Sequence, residues 1–335
     1  MQNSWIPVTL IFIATACDHQ SPDPSGPQVN DSQNFSQLPE SEIPNASVVA
    51  AGNTWATKSP LGSARAGIQA GTINNILYVV GGYTASSRTA TLLAYNLTTN
   101  SWSTRKSLPS ARTLAGVSGL NGLLYAVGGF NSLGRPTRTL FVYNPATNNW
   151  VRKADLPQAT GCSVVDDIDG FLYVYADCSG SSAFGFFRYN PATNSWVTLP
   201  DPPESHARGA GGSIAKRFYL AGGQSFPPIP STHVYNPTTN AWSSKADMPR
   251  EVRSAAFKVI SGKLYVAGGT NSDDNIFATL QVYDAATNSW SLKASMPTAR
   301  YNAAGGQTGG RFLVIGGEIQ PYTTVLSRKV EAYTP

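Results

Sequence analysis

The stretch LLYAVGGFNSLGRPTRTLFVYNPATNNW, residues 123–150, decides the fold. Its first apolar run ends in Gly128-Gly129, a pair that tolerates close backbone approach and unusual φ/ψ. A variable loop leads to a second apolar run carrying Tyr143. Asn144-Pro145-Ala146-Thr147 then reads as a turn, with Pro pre-set for position i+1, and Trp150 opens one more strand. Upstream, a strand of mostly small and apolar residues reaches Asn121-Gly122, where glycine supplies the positive φ of a two-residue hairpin.

Working outward, the same pattern recurs along the chain. ILYVVGG (76–82), FLYVYAD (171–177), RFYLAGG (217–223), KLYVAGG (263–269) and RFLVIGG (311–317) align with residues 123–129. AYNLTTNSW (94–102), RYNPATNSW (188–196), VYNPTTNAW (234–242) and VYDAATNSW (282–290) align with residues 142–150. Tryptophans at 55, 102, 150, 196, 242 and 290 are spaced by 46 to 48 residues. Such periodicity marks a repeat architecture of short strands.

A glycine pair after an aromatic-bearing strand, then Tyr and Trp seven residues apart, resembles the Kelch repeat, in six copies over residues 53–335. The resemblance implies an all-β, six-bladed Kelch-type β-propeller: each repeat makes a four-stranded blade, and the blades pack radially around a channel. The last copy stops at Ala332-Tyr333-Thr334-Pro335 without its Trp strand, and Asn53-Thr54-Trp55 carries one. An N-terminal strand is therefore expected to complete the last blade and close the ring, making residues 51–335 one propeller domain.

Composition agrees with this class. The 335 residues hold 24 Lys plus Arg and 19 Asp plus Glu, a net charge of +5. Charged residues are 13% of the chain, about half the roughly 25% of an ordinary soluble domain. Hydrophobic residues at 41% allow a large core and exclude global disorder. With no basic run, no nucleic-acid partner and no polybasic membrane surface is expected.

Residues 5–16, WIPVTLIFIATA, are too few to span a bilayer, which takes about 20 apolar residues. Their small-residue ending reads as a signal peptide over 1–16. Small residues leading into Cys17 resemble a bacterial lipobox, although Ala14 stands where Leu is usual and no Lys or Arg precedes the run. Cys17 is thus the expected lipid attachment, against ordinary secretion with an incidental cysteine. Residues 17–50 carry five prolines among polar residues and read as a disordered tether. The expected location is the cell envelope, lipid-anchored or periplasmic or secreted, with the membrane touched only through the anchor. Asn34, Asn45 and Asn96 begin N-x-S/T sequons.

The candidate ligand-binding residues are Arg65, Arg112, Arg208, Arg253 and Arg300, each 14 to 16 residues before the first Gly of its pair, with Thr160 in the equivalent place of the third unit. By the resemblance, the strand they open is innermost, so they would surround one mouth of the channel. Converging guanidiniums suit carboxylates, acidic sugars or an acidic peptide; the alternative is that they brace adjacent blades. Around that mouth the loops bring Arg88, Arg135, Gln224, Phe226, Asp273, Asp274, Glu318 and Tyr322, and an insert, Asp201-Pro202-Pro203-Glu204-Ser205-His206.

Catalytic signatures are sparse. The histidines are His19, His206 and His233, and no HxxxH or CxxC spacing occurs, so no metal site and no cofactor is expected. The Tyr, His and Cys set of the Kelch-fold copper radical oxidases cannot be assembled. Sialic-acid mutarotases are also six-bladed Kelch proteins, and Glu204, Glu251 or Glu318 beside the arginines could serve as acid and base. Cys162 and Cys178 are the candidates for a disulfide; strict register sets Cys178 opposite residue 161 and points the two sulfurs to opposite faces, whereas a one-residue bulge allows a bridge.

The leading expectation is a monomeric, exported Kelch-repeat module that binds a protein or glycan partner, an anionic one if the arginines contact it, through one mouth of the propeller. The alternatives are a carbohydrate epimerase or mutarotase acting on an acidic sugar, and a passive cell-envelope scaffold.

Overall fold

The computed structural model describes residues 52–180, 183–223, 227–321 and 325–335. The signal segment, Cys17, the tether, Gln224, Phe226 and Tyr322 lie outside the described residues. Residues 49–335 form one compact unit.

Six four-stranded antiparallel sheets account for the regular structure of the described residues. The first blade is Gln69–Ile73, Ile76–Val80, Leu92–Asn96 and Ser101–Arg105. Its successors begin at Gly116, Cys162, Ala210, Ala256 and Ala304. Each sheet runs in chain order from an inner to an outer strand, except the sixth. There the outer strand is Thr54–Lys58, paired antiparallel with Val330–Thr334 so that Trp55 stands opposite Tyr333. The inner strand of every blade touches the inner strands of both neighbours, which closes a cycle of six around a channel.

The core consists of wedges between blades. One cluster joins Tyr78 and Val80 of the first blade to Val117, Leu124 and Tyr143 of the second. Another joins Leu313, Ile315 and Val330 of the sixth to Leu77, Val79 and Tyr95 of the first. Strand burial follows from this: the second and third strands face a neighbour on both sides and are mostly buried, whereas the outer strands are half exposed.

The Tyr–Asn–Trp signature links blade to blade. Each indole N–H donates to the carbonyl just past the outer strand of the preceding blade: Trp102 to Ser59, Trp150 to Lys106, Trp196 to Ala154, Trp242 to Pro200, Trp290 to Ala246 and Trp55 to Ala294. Two residues before each Trp, an asparagine accepts from the Tyr hydroxyl of its own blade, and in the first five blades it stands at positive φ (48° at Asn100, 50° at Asn148). The same Asn148 oxygen accepts from the Lys106 backbone N–H of the blade before. A left-handed turn with a side-chain acceptor suits Asn, which explains its recurrence.

The glycine pairs are set by crowding. Gly81 lies at φ 63°, and a Cβ there would stand 2.2 Å from the Arg112 carbonyl oxygen of the next blade. The third blade, lacking the pair, instead runs its first two strands seven residues long. Cys162 faces Asp177 across them, which leaves Cys178 opposite residue 161. Cys178 nevertheless bonds to Cys162, with the Cα atoms 5.4 Å apart. No bulge is needed: Cys178 leaves the strand at φ 55°, which swings its side chain across the register.

Candidate functional site

The segment before each inner strand forms one mouth of the channel, and its register is fixed by backbone bonds. The second glycine of a pair donates to the carbonyl of the next blade's entry residue: Gly317 to Arg65, Gly82 to Arg112, Gly129 to Thr160, Gly223 to Val252 and Gly269 to Arg300. Arg65, Arg112 and Arg300 therefore share one position, 16 residues before the first Gly. Arg253 stands one residue later than that position and Arg208 two, as their spacings of 15 and 14 record. His206 and Val252 hold the shared position in the fourth and fifth blades.

This shift decides the fate of each arginine. Arg65, Arg112 and Arg300 are 6%, 6% and 0% exposed and are engaged within their own blades. Arg65 donates to Thr91 and Ser63, and Arg112 donates to Thr139 and the Ala111 carbonyl. Arg300 donates to the Val314 carbonyl at 2.9 Å and pairs with the wholly buried Glu331 at 3.0 Å. Glu331 also accepts from Thr298. Arg253 pairs with Asp274 at 3.0 Å.

Arg208 differs. It occupies the place of Gly67, Leu114, Ser254 and Asn302, which bond one to the next along the channel rim: Leu114 N–H to Gly67, Gly67 N–H to Asn302, Asn302 N–H to Ser254 and Ser254 N–H to Arg208. Arg208, Leu114, Ser254 and Asn302 line the channel. Arg208 is half-buried, and no group among the described residues hydrogen-bonds or pairs with its guanidinium. Burial and the nearby Arg253 push its pKa below the usual arginine value, and Glu318 pulls the other way. At any physiological pH it remains a cation without a contact anion.

Arg208 lines a depression of about 530 Å³ at this mouth, together with Tyr83, Leu114, Phe130, Arg88 and Asn302. Behind Tyr83 and Asn302, the buried Glu318 accepts from the hydroxyls of Tyr83 and Tyr301 (2.8 Å for the latter) and from the Asn302 amide at 2.7 Å. Burial, and then Glu318, raise both phenols above their ordinary range, so they stay protonated donors. Tyr83 and Glu318 directly follow glycine pairs, one in the first blade and one in the sixth, and bridge to Ala66 and Tyr301. Chemically, the mouth offers a desolvated cation, a held carboxylate and the phenol rings of two tyrosines.

The remaining candidates are engaged with neighbours. Glu204 accepts from Ser231 behind the rim, and Arg88 bonds the Ser132 carbonyl. Asp273 accepts from Asn271 in an exposed loop. The opposite mouth carries Asp166, bonded to Ser118 and Ser213 and 3.5 Å from Lys258.

The Kelch motif matches residues 64–109, 111–157, 207–249 and 253–297. These are the first, second, fourth and fifth units; the third lacks the glycine pair and the sixth is split between the two ends of the domain. No curated protein matches the chain. Among solved structures, one titled "Structure of YjhT" is 16% identical and has a TM-score of 0.69, covering 82% of this chain and 95% of that one. At that identity the likeness speaks for the fold alone. Matched over more than half its length by the motif and built as six four-stranded blades, the chain belongs to the Kelch-repeat family.

Proposed function

We propose that this propeller is a binding module whose ligand sits in the Arg208 mouth and presents an anionic group to it. The observation that carries the reading is the Arg208 guanidinium, half-buried, facing a rim depression and without a partner among the described residues. A carboxylate seated there would form the charge-assisted bonds that the protein does not supply. Phe130 and Tyr83 add the aromatic faces that sugar rings and peptide side chains pack against. The ligand class is therefore a glycan or protein segment with an exposed carboxylate. In a thermal-shift screen with neutral sugars, acidic sugars and acidic peptides, only acidic ligands should raise the melting temperature. Arg208→Ala should abolish the shift, and a shift that survives this change would remove the proposal.

A second reading is supported by Glu318. A carboxylate held by two phenols and an amide, beside a cation able to grip an acidic sugar, is an arrangement suited to proton transfer. Turnover of an acidic sugar that is lost in Glu318→Gln, with binding retained, would favour an epimerase or mutarotase over a binding module.

We also place the protein outside the cytoplasm, anchored through Cys17. The Cys162–Cys178 bridge supports export, since disulfides persist in oxidising compartments. Cys17→Ser should release the protein from the membrane fraction, and unchanged partitioning would remove the anchor.

A further inference from the structure

Behind the rim of the fourth blade, two histidines and a glutamate meet in a place the binding site does not use. His206 occupies the buried entry position that Arg65, Arg112 and Arg300 hold elsewhere, and it is wholly buried. His233 is the second residue of the strand Thr232–Asn236 and is 5% exposed. His206 Nε2 lies 2.9 Å from His233 Nδ1, and Glu204 Oε1 lies 3.9 Å from the same Nδ1. All three ligand atoms fall within 4.8 Å of one another.

The tautomers follow from the neighbours. His206 Nδ1 is 2.7 Å from the Gly222 carbonyl oxygen, which can only accept, so Nδ1 carries the proton. The lone pair of His206 Nε2 is then directed at His233 and Glu204. Ligand histidines are commonly oriented in this way, the second ring nitrogen donating to a backbone carbonyl. Glu204 is itself steered, by the Ser231 hydroxyl at 2.6 Å.

The fold does not demand a histidine pair here. The same two slots hold Arg112 over Phe141 in the second blade, and Arg300 with Glu331 in the sixth. They close equally well around aromatic packing or an ion pair. The fourth blade alone fills them with two neutral nitrogen ligands and brings a carboxylate alongside by its Pro202-Pro203-Glu204 insert.

We propose that His206 Nε2, His233 Nδ1 and Glu204 form a binding site for a borderline divalent transition-metal ion, of which zinc is the type. Two imidazole nitrogens and one carboxylate oxygen are a common three-residue zinc set that leaves one position open. The open position faces solvent on the Glu204 side, whose side chain is 40% exposed. To ligate, His233 shifts its proton from Nδ1 to Nε2, and the two nitrogens separate by a few tenths of an ångström, to ~3.3 Å for bonds of ~2.05 Å.

The test uses the purified full chain, stripped with a chelator and titrated with Co2+ and Zn2+ at pH 7.5. One equivalent of Co2+ should develop the visible absorption of a four- or five-coordinate N/O site, and Zn2+ should displace it. His233→Phe, which copies the residue at this slot in the second and third blades, should abolish binding. Glu204→Gln keeps volume at a partly exposed position, so it folds even where the histidine variant does not, and it should weaken binding at least tenfold. Absence of stoichiometric binding would overturn the site. So would an affinity unchanged within twofold in Glu204→Gln, which would move the ion elsewhere, for example to Cys17 and His19.

Discussion

Arg300 and Arg208 both stand just ahead of an inner strand, two blades apart, and the repeat pattern gives them similar spacings. Arg300 is wholly buried and paired with a wholly buried Glu331. Arg208 lines the mouth with no partner among the described residues. Two residues of register separate them: Arg208 stands at the left-handed residue of its entry segment (φ 57°), whereas Arg300 precedes its own, Asn302 (φ 50°). In this propeller, a residue's distance from the glycine pair decides whether its charge is buried and paired within a blade or lines the mouth.

The comparison can be broken first at Arg300. Arg300→Ala leaves Glu331 charged and alone in the core and should cost about 3–5 kcal/mol. Chemical denaturation at pH 7 measures it, and an unaltered midpoint would show that the pair is not buried as described. Arg300→Met combined with Glu331→Leu should recover most of that loss, because an apolar pair of similar volume carries no desolvation penalty.

The third blade has no arginine at either position and starts its inner strand at the Cys162–Cys178 bridge. Cys162→Ser with Cys178→Ser should lower stability by about 3 kcal/mol, given a loop of this length. The double variant should melt like the reduced wild type.

The fourth blade sharpens the comparison, because His206 sits where Arg300 does. Burial depresses its pKa from 6.5 to about 4. Between those values the unfolded chain binds a proton that the folded state refuses, so stability is full above pH 6.5 and falls as pH drops toward 4. The loss approaches roughly 3 kcal/mol. In chelator, His206→Gln should flatten this slope between pH 6.5 and 5, and an unchanged slope would assign the titration to another group.

The smallest stability effect is expected at Arg208. Removing a partly buried side chain with no partner among the described residues should change stability by no more than about 0.5 kcal/mol, while abolishing anion binding. A large destabilisation would make Arg208 a brace like Arg300.

The blade pattern was legible because Tyr, Asn and Trp do the same work in every unit. Each Trp needs a carbonyl of the previous blade and each Asn the Tyr hydroxyl of its own, so their spacing is the rotation of the ring written along the chain. The arginines were harder. Their type suggested one function, but spacings of 16, 15 and 14 to the glycine pair encode three positions. Aligning on the glycines to the residue would have singled out Arg208. Tyr301 and Asn302 carry no motif: they became site residues only because the first and sixth blades are neighbours, bringing Tyr83 to Glu318 across 235 positions of sequence. The histidine cluster was hidden in the same way, since no short spacing joins His206 to His233.

The strand Thr54–Lys58 has a further consequence, in time rather than space. Its sheet does not exist until Val330–Thr334 has been made, and Asn53 waits 280 residues for the Tyr333 hydroxyl. At about 5–20 residues per second, that delay is on the order of tens of seconds. Throughout it the newborn chain holds one unpaired strand at its front and one unfinished sheet at its back, and no partial product can snap shut. Synthesis itself sets the earliest moment of locking, so factors that keep the chain unfolded need only shield one short segment until the last strand arrives.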